Sequence, residues 1–333
     1  MNVHASALTR SPVAETAPVH HDRANDATVS SFALDVLAGL GKQPKQLSPK
    51  YFYDAAGSDL FEQITVLPEY YPTRTELGIL RDRGTEIAEL LPQKAALVEF
   101  GAGATTKVRR LLGCCDIAAY VPVDISAEFL HQQARTLRAD FRDLNVFPVA
   151  ADFTELFELP PEIRELPKVG FFPGSTIGNF EPQDASRFLR RASDILGRGA
   201  LIVLGVDLEK DEGVLHDAYN DAAGVTAKFN LNLMVRMNRE LGTNFDLAAF
   251  DHRAIYNREQ HRIEMHLISK RPQMVRVCGR SISFTTGESI HTENSYKYSI
   301  ERFYQLARSS GWAPLKSWTD SGRMFSVHAL RAG

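Results

Sequence analysis

Between Ala95 and Asp207 short apolar strands alternate with amphipathic helices, and no other feature limits the possible folds as much. AALVEF is a strand that runs into a Gly-rich turn and the helical TTKVRRLL. AAYVPVDIS reads as a second strand and AEFLHQQARTLRADF as its helix. NVFPVAADF, VGFFPGSTIGNF and ALIVLGVDL read as the third, fourth and fifth strands, with the helical DASRFLRRASDIL between the last two. Strands separated by helices cannot pair as hairpins, so the pattern predicts an α/β fold: a doubly wound, Rossmann-like parallel sheet with helices on both faces.

The flanks read differently. Residues 1–28 carry Ala, Thr, Val, His and Pro without periodicity and are expected to be a flexible tail. SFALDVLAGL reads as an amphipathic helix capped by Ser30 or Ser31. An aromatic segment follows, with a helical turn expected from Asp59 to Thr65 and a longer helix from Thr73 or Arg74 through Leu91. Beyond Asp207, LHDAYNDAAGVTAKFNLNLMVRMNRELG is largely helical, and AIYNREQHRIEMHLISKRPQMVRV alternates like paired antiparallel strands. The end reads helix, Gly turn, strand, loop, strand, which returns the chain to the sheet with an antiparallel last strand. The expected organisation is a nucleotide-binding domain of residues 75–208 plus 299–333, and an α+β substrate domain of residues 29–74 plus 209–298.

Among 333 residues, 38 Lys and Arg balance 41 Asp and Glu, giving a net charge of −3. The basic residues are scattered, which argues against nucleic acid or an anionic membrane surface as partner. Three cysteines and ten histidines show neither CxxC nor HExxH spacing, so no metal site is expected. The N-terminal segment lacks the apolar run of a signal peptide. No stretch approaches the ~20 apolar residues of a membrane span. A cytoplasmic, monomeric enzyme acting on a small molecule is expected.

The turn Glu99-Phe100-Gly101-Ala102-Gly103-Ala104 lies between a strand and a helix, where glycines let the backbone approach a ligand and helix amides stand free. Asp124 ends the next strand, about 20 residues on, where an acid reaches ribose hydroxyls. Its competing reading is an N-cap, shared with Ser126. Asp152-Phe153 ends the third strand, suited to an adenine amino group and ring, or equally to a helix cap and a core aromatic. These features serve NAD and S-adenosylmethionine alike. The final helix–strand–strand element favours a methyltransferase, as does Thr106 standing where GxGxxG has its third glycine.

Several segments resemble one family, the L-histidine Nα-methyltransferases of ergothioneine biosynthesis. They are YFYDAAGSDLFEQITVLPEYYPTRTE, LVEFGAGATTK, VPVDIS, FFPGSTIGNF, LGVDLEKD, AYND, FNLNLMVRMNREL, RIEMHLIS and TENSYKYS, in family order over roughly residues 30–333. The resemblance implies an S-adenosylmethionine domain and a substrate domain. It implies cofactor contacts at Gly101, Gly103, Lys107, Asp124, Asp152 and Phe153, with Gly174 and Ser175 in the turn over the donor. It implies an amino-acid pocket with aromatic Tyr53 and Tyr70, and Asn179 and Tyr219 on the substrate carboxylate. Met265, Glu293 and Ser295 fall on the imidazole side, with Glu293 and Ser295 paired to the ring nitrogens. Tyr53 is the residue expected near the amine. Asn294 departs from the apolar residue expected there, but its side chain should point away from its neighbours'. The implied reaction is transfer of up to three methyl groups to the α-amine of L-histidine, giving hercynine. A tryptophan derivative is the nearest alternative substrate, and a nicotinamide-dependent oxidoreductase a more distant reading.

Overall fold

The computed structural model describes residues 23–333, with side chains from residue 31 onward. In chain order the elements are α1 (Arg23–Leu40), β1 (Lys45–Gln46), α2 (Ala55–Thr65), α3 (Tyr71–Leu90), β2 (Ala95–Phe100), α4 (Thr106–Leu112), β3 (Ile117–Asp124) and α5 (Ala127–Asp140). Next come β4 (Asn145–Val146), β5 (Val149–Ala150), β6 (Lys168–Phe172), α6 (Pro182–Leu196), β7 (Leu201–Asp207), α7 (Glu212–Tyr219) and α8 (Val225–Leu241). The remainder is β8 (Phe250–Asn257), β9 (Arg262–Ser269), β10 (Gln273–Val277), β11 (Arg280–Phe284), β12 (Ser289–Tyr296), α9 (Ile300–Ser309), β13 (Trp312–Thr319) and β14 (Phe325–Ala332).

The larger sheet has eight strands in the order β13-β14-β7-β6-β2-β3-β4, with β5 also paired to β3. β2 through β7 run parallel, and β14 lies antiparallel to both β7 and β13. Every residue of β2 and β7 is buried, as expected of strands covered on both faces. One face is covered by α6, whose Ala185, Phe188, Leu189, Ala192 and Leu196 form a single apolar stripe. The other carries Ile79, Leu80 and Ile87 of α3 with Val108 and Leu111 of α4. Because β3 and β6 flank β2 on opposite sides, the winding reverses at β2. A crevice therefore opens at the carboxyl ends of β2 and β6, the usual ligand position in such sheets.

A second lobe is built on a four-stranded sheet of order β1-β12-β9-β8. Its core gathers Phe32, Val36, Tyr51 and Phe52 from the N-terminal segment with Phe229, Leu233, Met234 and Met237 of α8 and Ile263, Met265 and Leu267 of β9. The chain leaves the large sheet at Asp207 and re-enters beside it. Tyr298 N–H donates to Asp207 O at 3.0 Å and Glu209 N–H to Tyr298 O at 3.0 Å.

Some local expectations move. Of the residues read as a tail, 1–22 lie outside those described, and 23–28 belong to α1. No Gly or Pro interrupts RANDATV, and the described helix runs from Arg23 through Ser30 and Ser31 instead of being capped by them. Asp54 caps α2, accepting Gly57 N–H at 2.8 Å, so that helix starts before Asp59. α3 starts at Tyr71 with Pro72 in its first turn, where the missing N–H costs nothing. The third strand is two short pieces, because Pro148 has no N–H for the ladder. Among the described residues no helix is long and apolar enough to cross a membrane.

The terminal hairpin is pinned by Trp312, which is 1% exposed and donates Nε1–H to Leu189 O of α6 at 2.7 Å. Replacing Trp312 by Ala is expected to cost about 3–5 kcal/mol, read as a lowered urea midpoint; a change under about 1 kcal/mol, ordinary for a surface site, would contradict this packing.

Candidate active site

The crevice is a cavity of about 1420 Å³. Its floor is the turn after β2, where Gly101 takes φ 71° and the N–H groups of Gly101 and Ala102 both donate to Val123 O at 2.9 and 3.0 Å. That stitches the turn to the end of β3, beside Asp124. The Phe153 ring lies on Gly101, where a Cβ would come within 3.1 Å of it. Gly103 faces open space. Asp124 Oδ1 accepts Ser126 N–H at 2.9 Å, and Asp152 Oδ1 accepts Thr154 N–H at 2.9 Å. Both carboxylates thus tie down local turns while lining the crevice, so their capping and crevice-lining readings coexist. Phe153 likewise lines the crevice while packing against Phe172 and Phe188. Burial holds Asp124 above the ordinary carboxylate range.

Glu99 also lines the crevice. Burial pushes its pKa up to about 8, against the short hydrogen bond donated by the Tyr120 hydroxyl. Lys107 lines the crevice with its charge already matched, since Nζ lies 2.7 Å from Glu76 Oε2. Glu76, 1% exposed, also accepts Gly174 N–H on both oxygens, at 3.0 and 2.9 Å. Gly174 takes φ 82°, and a Cβ on it would sit 3.0 Å from Lys107 Nζ. Ser175 Oγ accepts Asp207 N–H at 2.9 Å, and this residue lines the smaller chamber described next.

That chamber, about 60 Å³, adjoins the crevice through shared walls of Tyr53, Phe61, Gly174, Thr176, Asn179 and Glu293. The 3-10 turn Thr176–Asn179 after β6 packs on β12 so closely that a Cβ on Gly178 would lie 2.8 Å from Tyr296 O. This close approach sets Asn179 of the large lobe against Glu293 of the small one, with Nδ2 donating to Oε1 at 3.1 Å. Glu293 pairs with Met265 across β12 and β9, and Ser295 with Ile263. Met265, Glu293 and Ser295 all line the chamber. Asn294 faces the other way and donates to Glu181 Oε1 at 2.9 Å. Tyr70 and Tyr219 complete the wall, with ring centroids 6.3 Å apart. Tyr53 packs edge-on against Phe61 and Phe229. Burial raises its pKa well above the ordinary phenol, so it remains protonated. Burial also pushes Glu293 up to about 7, with the Lys297 charge pulling the other way.

Behind the chamber lies a buried polar network that the sequence reading missed. Lys297, 0% exposed, donates to Asp207 Oδ2 at 2.6 Å, Ser295 Oγ at 2.8 Å and the Tyr219 hydroxyl at 2.9 Å. Asp207 also receives Lys210 Nζ at 2.6 Å and the Tyr71 hydroxyl at 2.7 Å. Strand period two offered a signal, because Glu293, Ser295 and Lys297 fall on one face. On the opposite face, Glu264, His266 and His291 come within ligating distance of one another, a grouping hidden until cross-strand register joins them. Arg262 already pairs with Glu264 at 2.8 Å, and burial keeps both imidazoles below the usual histidine range.

Residues 32–332 match the family described as histidine-specific methyltransferase, S-adenosylmethionine-dependent. A histidine N-alpha-methyltransferase of Mycolicibacterium smegmatis is 41% identical over 91% of this chain and 96% of its own length. Ergothioneine biosynthesis protein 1 of Neurospora crassa is 32% identical over 86% of this chain and 33% of its own. A 4-dimethylallyltryptophan N-methyltransferase of Claviceps purpurea is 27% identical over 94% and 98%.

The seam between the lobes has a direct test. Gly178→Ala forces β12 away from the Thr176–Asn179 turn, and overpacking of this kind typically costs about 1–3 kcal/mol. Chemical denaturation is expected to register that loss, and an unchanged stability would mean the two elements are not in close contact.

Proposed function

The chain belongs to the histidine-specific, S-adenosylmethionine-dependent methyltransferases, and from that premise we propose that it methylates the α-amine of L-histidine up to three times, giving hercynine for ergothioneine biosynthesis. The observation that carries this reading is the contact of Asn179 with Glu293, 3.1 Å across the wall shared by the crevice and the chamber. A donor in the one and an amino acid in the other would meet at that wall. In this reading residues 75–208 and 299–333 form the donor domain, and residues 29–74 and 209–298 the substrate domain.

The crevice suits a cationic donor. Asp124, Asp152, Glu155 and Glu181 line it, while its Lys107 is paired with Glu76. An excess of acidic over basic residues in the lining disfavours a dinucleotide pyrophosphate, and with it the nicotinamide reading. S-adenosylmethionine supplies an electrophilic methyl on a sulfonium, and Gly101, Gly103, Asp124, Asp152, Phe153 and Gly174 are the residues that would hold it.

The remaining chemistry belongs to the chamber. Asn179 turns its amide from Glu293 to the substrate carboxylate, joined by the Tyr219 hydroxyl. Glu293, once ionised, accepts an imidazole N–H, and Ser295 serves the other nitrogen. A site built to pair both ring nitrogens rejects an apolar ring, because its own polar groups would be left buried and unpaired. This is what separates histidine from the tryptophan derivative named for the Claviceps relative. The amine must be neutral to offer its lone pair. Tyr53, held as a phenol, orients that nitrogen and does not act as a phenolate base. Aromatic faces of Tyr53 and Tyr70 tolerate the growing cation, and a quaternary nitrogen ends the sequence.

Incubation with S-adenosylmethionine and each free amino acid, followed by product mass, tests the reading. Histidine is expected to gain one, two and three methyl groups; faster transfer to tryptophan derivatives, or none to histidine, would refute it. Tyr53→Phe is expected to lower kcat about tenfold, or ~1.4 kcal/mol of barrier, with little change in donor affinity; loss of both alike would assign Tyr53 to structure. The pH profile adds a second check. With Glu293 at about 7, its ionised form is present above that pH and lost below it. The slope of log kcat/KM against pH is therefore expected to steepen by about one below pH 7, since a single protonation changes the active fraction tenfold per unit. Glu293→Gln should abolish that extra limb, and a limb that persisted would belong to another group.

A further inference from the structure

The groups assigned to the substrate carboxylate, an amide and a phenol, are both neutral, yet an amino-acid carboxylate carries a full charge that burial penalises. The structure holds a compensating charge one layer deeper. Asp207, Lys210 and Lys297 form a buried cluster of one anion and two cations. Lys297 spends its three N–H donors on three acceptors: Asp207 Oδ2, the Tyr219 hydroxyl and Ser295 Oγ. An ammonium has three donors and no acceptor capacity, and these three acceptors match them. Asp207 does not consume both charges. Lys210 satisfies Oδ1 at 2.6 Å, and the Tyr71 hydroxyl reaches Oδ2 at 2.7 Å beside Lys297. Within this cluster one positive charge is left over, which Lys297 also presents to Glu293 across the chamber, and its two other hydrogen bonds end on chamber-lining side chains.

We propose that Lys297 is the positioning residue that lets this pocket recognise a free amino-acid carboxylate: the surplus charge of the Asp207–Lys210–Lys297 cluster faces the substrate through Tyr219 and Ser295. Lys297 never touches substrate. It fixes the two hydroxyls, which are also 2.8 Å from each other, so that the Tyr219 hydroxyl meets the anion with a cation at its back. In a low-dielectric interior a unit charge one hydrogen bond away acts strongly. The arrangement selects for the acid over its amide or ester, and so for free amino acids over peptide termini that lack the carboxylate.

The proposal rests on the amino-acid methyltransferase reading and is tested apart from it. Wild type, Lys297→Gln and Lys210→Gln are compared for kcat/KM on L-histidine and on L-histidinamide, with S-adenosylhomocysteine affinity and thermal stability measured alongside. Differences in amine basicity between the two substrates cancel when variants are compared. Lys297→Gln leaves Asp207 paired with Lys210, so the buried cluster falls from a net charge of +1 to neutral and no lone anion remains. The acid-to-amide preference is expected to fall at least tenfold, mainly through KM for histidine, with S-adenosylhomocysteine binding kept. Lys210→Gln removes the same unit of charge without touching Tyr219 or Ser295, and is expected to move the preference the same way by a smaller factor. It keeps the test alive if the Lys297 variant does not fold. A preference unchanged in both variants would overturn the proposal, as would equal losses on acid and amide. Absence of wild-type transfer to histidine would instead remove the function proposed above, and it is seen before any variant is compared.

Discussion

Everything in this molecule that bears on chemistry depends on how closely β12 of the small lobe lies against the Thr176–Asn179 turn of the large one. A side chain at Gly178 would meet the Tyr296 carbonyl at 2.8 Å, so only glycine permits the approach. From that approach follows the 3.1 Å contact between Asn179 and Glu293, and from the contact the joining of crevice and chamber. The fold supplies the rest of the seam at the neck, where Tyr298 and the residues after Asp207 exchange backbone hydrogen bonds. The lobes are held in register by main-chain geometry, and the polar side chains between them need not supply the attraction.

The electrostatics are arranged around that seam. On the crevice side, acidic residues outnumber basic ones, and Lys107 is spent on Glu76. On the chamber side, the buried cluster of Asp207, Lys210 and Lys297 carries surplus positive charge. Breaking a buried ion pair by removing one partner is costly because a bare charge stays behind, and here every member has at least two partners. In the function proposed above, a donor with a sulfonium suits the crevice side and an acid the chamber side.

The alternation from Ala95 to Asp207 was enough to place the parallel sheet, because strands covered on both faces read as unbroken apolar runs. The roles of the chamber-lining residues were legible only through the family resemblance, since strand period two puts Glu293 and Ser295 on one face without saying what that face meets. The contact of Ser175 Oγ with the Asp207 amide was not legible, because it depends on a positive φ that the sequence does not announce. Lys297 and the pairing of Glu76 with Lys107 were missed for a common reason. Charged residues are expected at the surface, and their partners lie far away in sequence. The His266–His291 stack, with ring centroids 4.9 Å apart, depends on register across two strands and a bulge, which no local pattern encodes.

The central claim is that one cavity brings donor and amino acid together at Asn179 and Glu293, and a crystal structure of the ternary complex with S-adenosylhomocysteine and L-histidine tests it most directly. The expected result is histidine in the chamber, its ring at Glu293, its carboxylate at Asn179 and Tyr219, its nitrogen facing the sulfur, and the Asn179–Glu293 hydrogen bond broken. Histidine bound elsewhere, or that hydrogen bond intact with both ligands present, would contradict it.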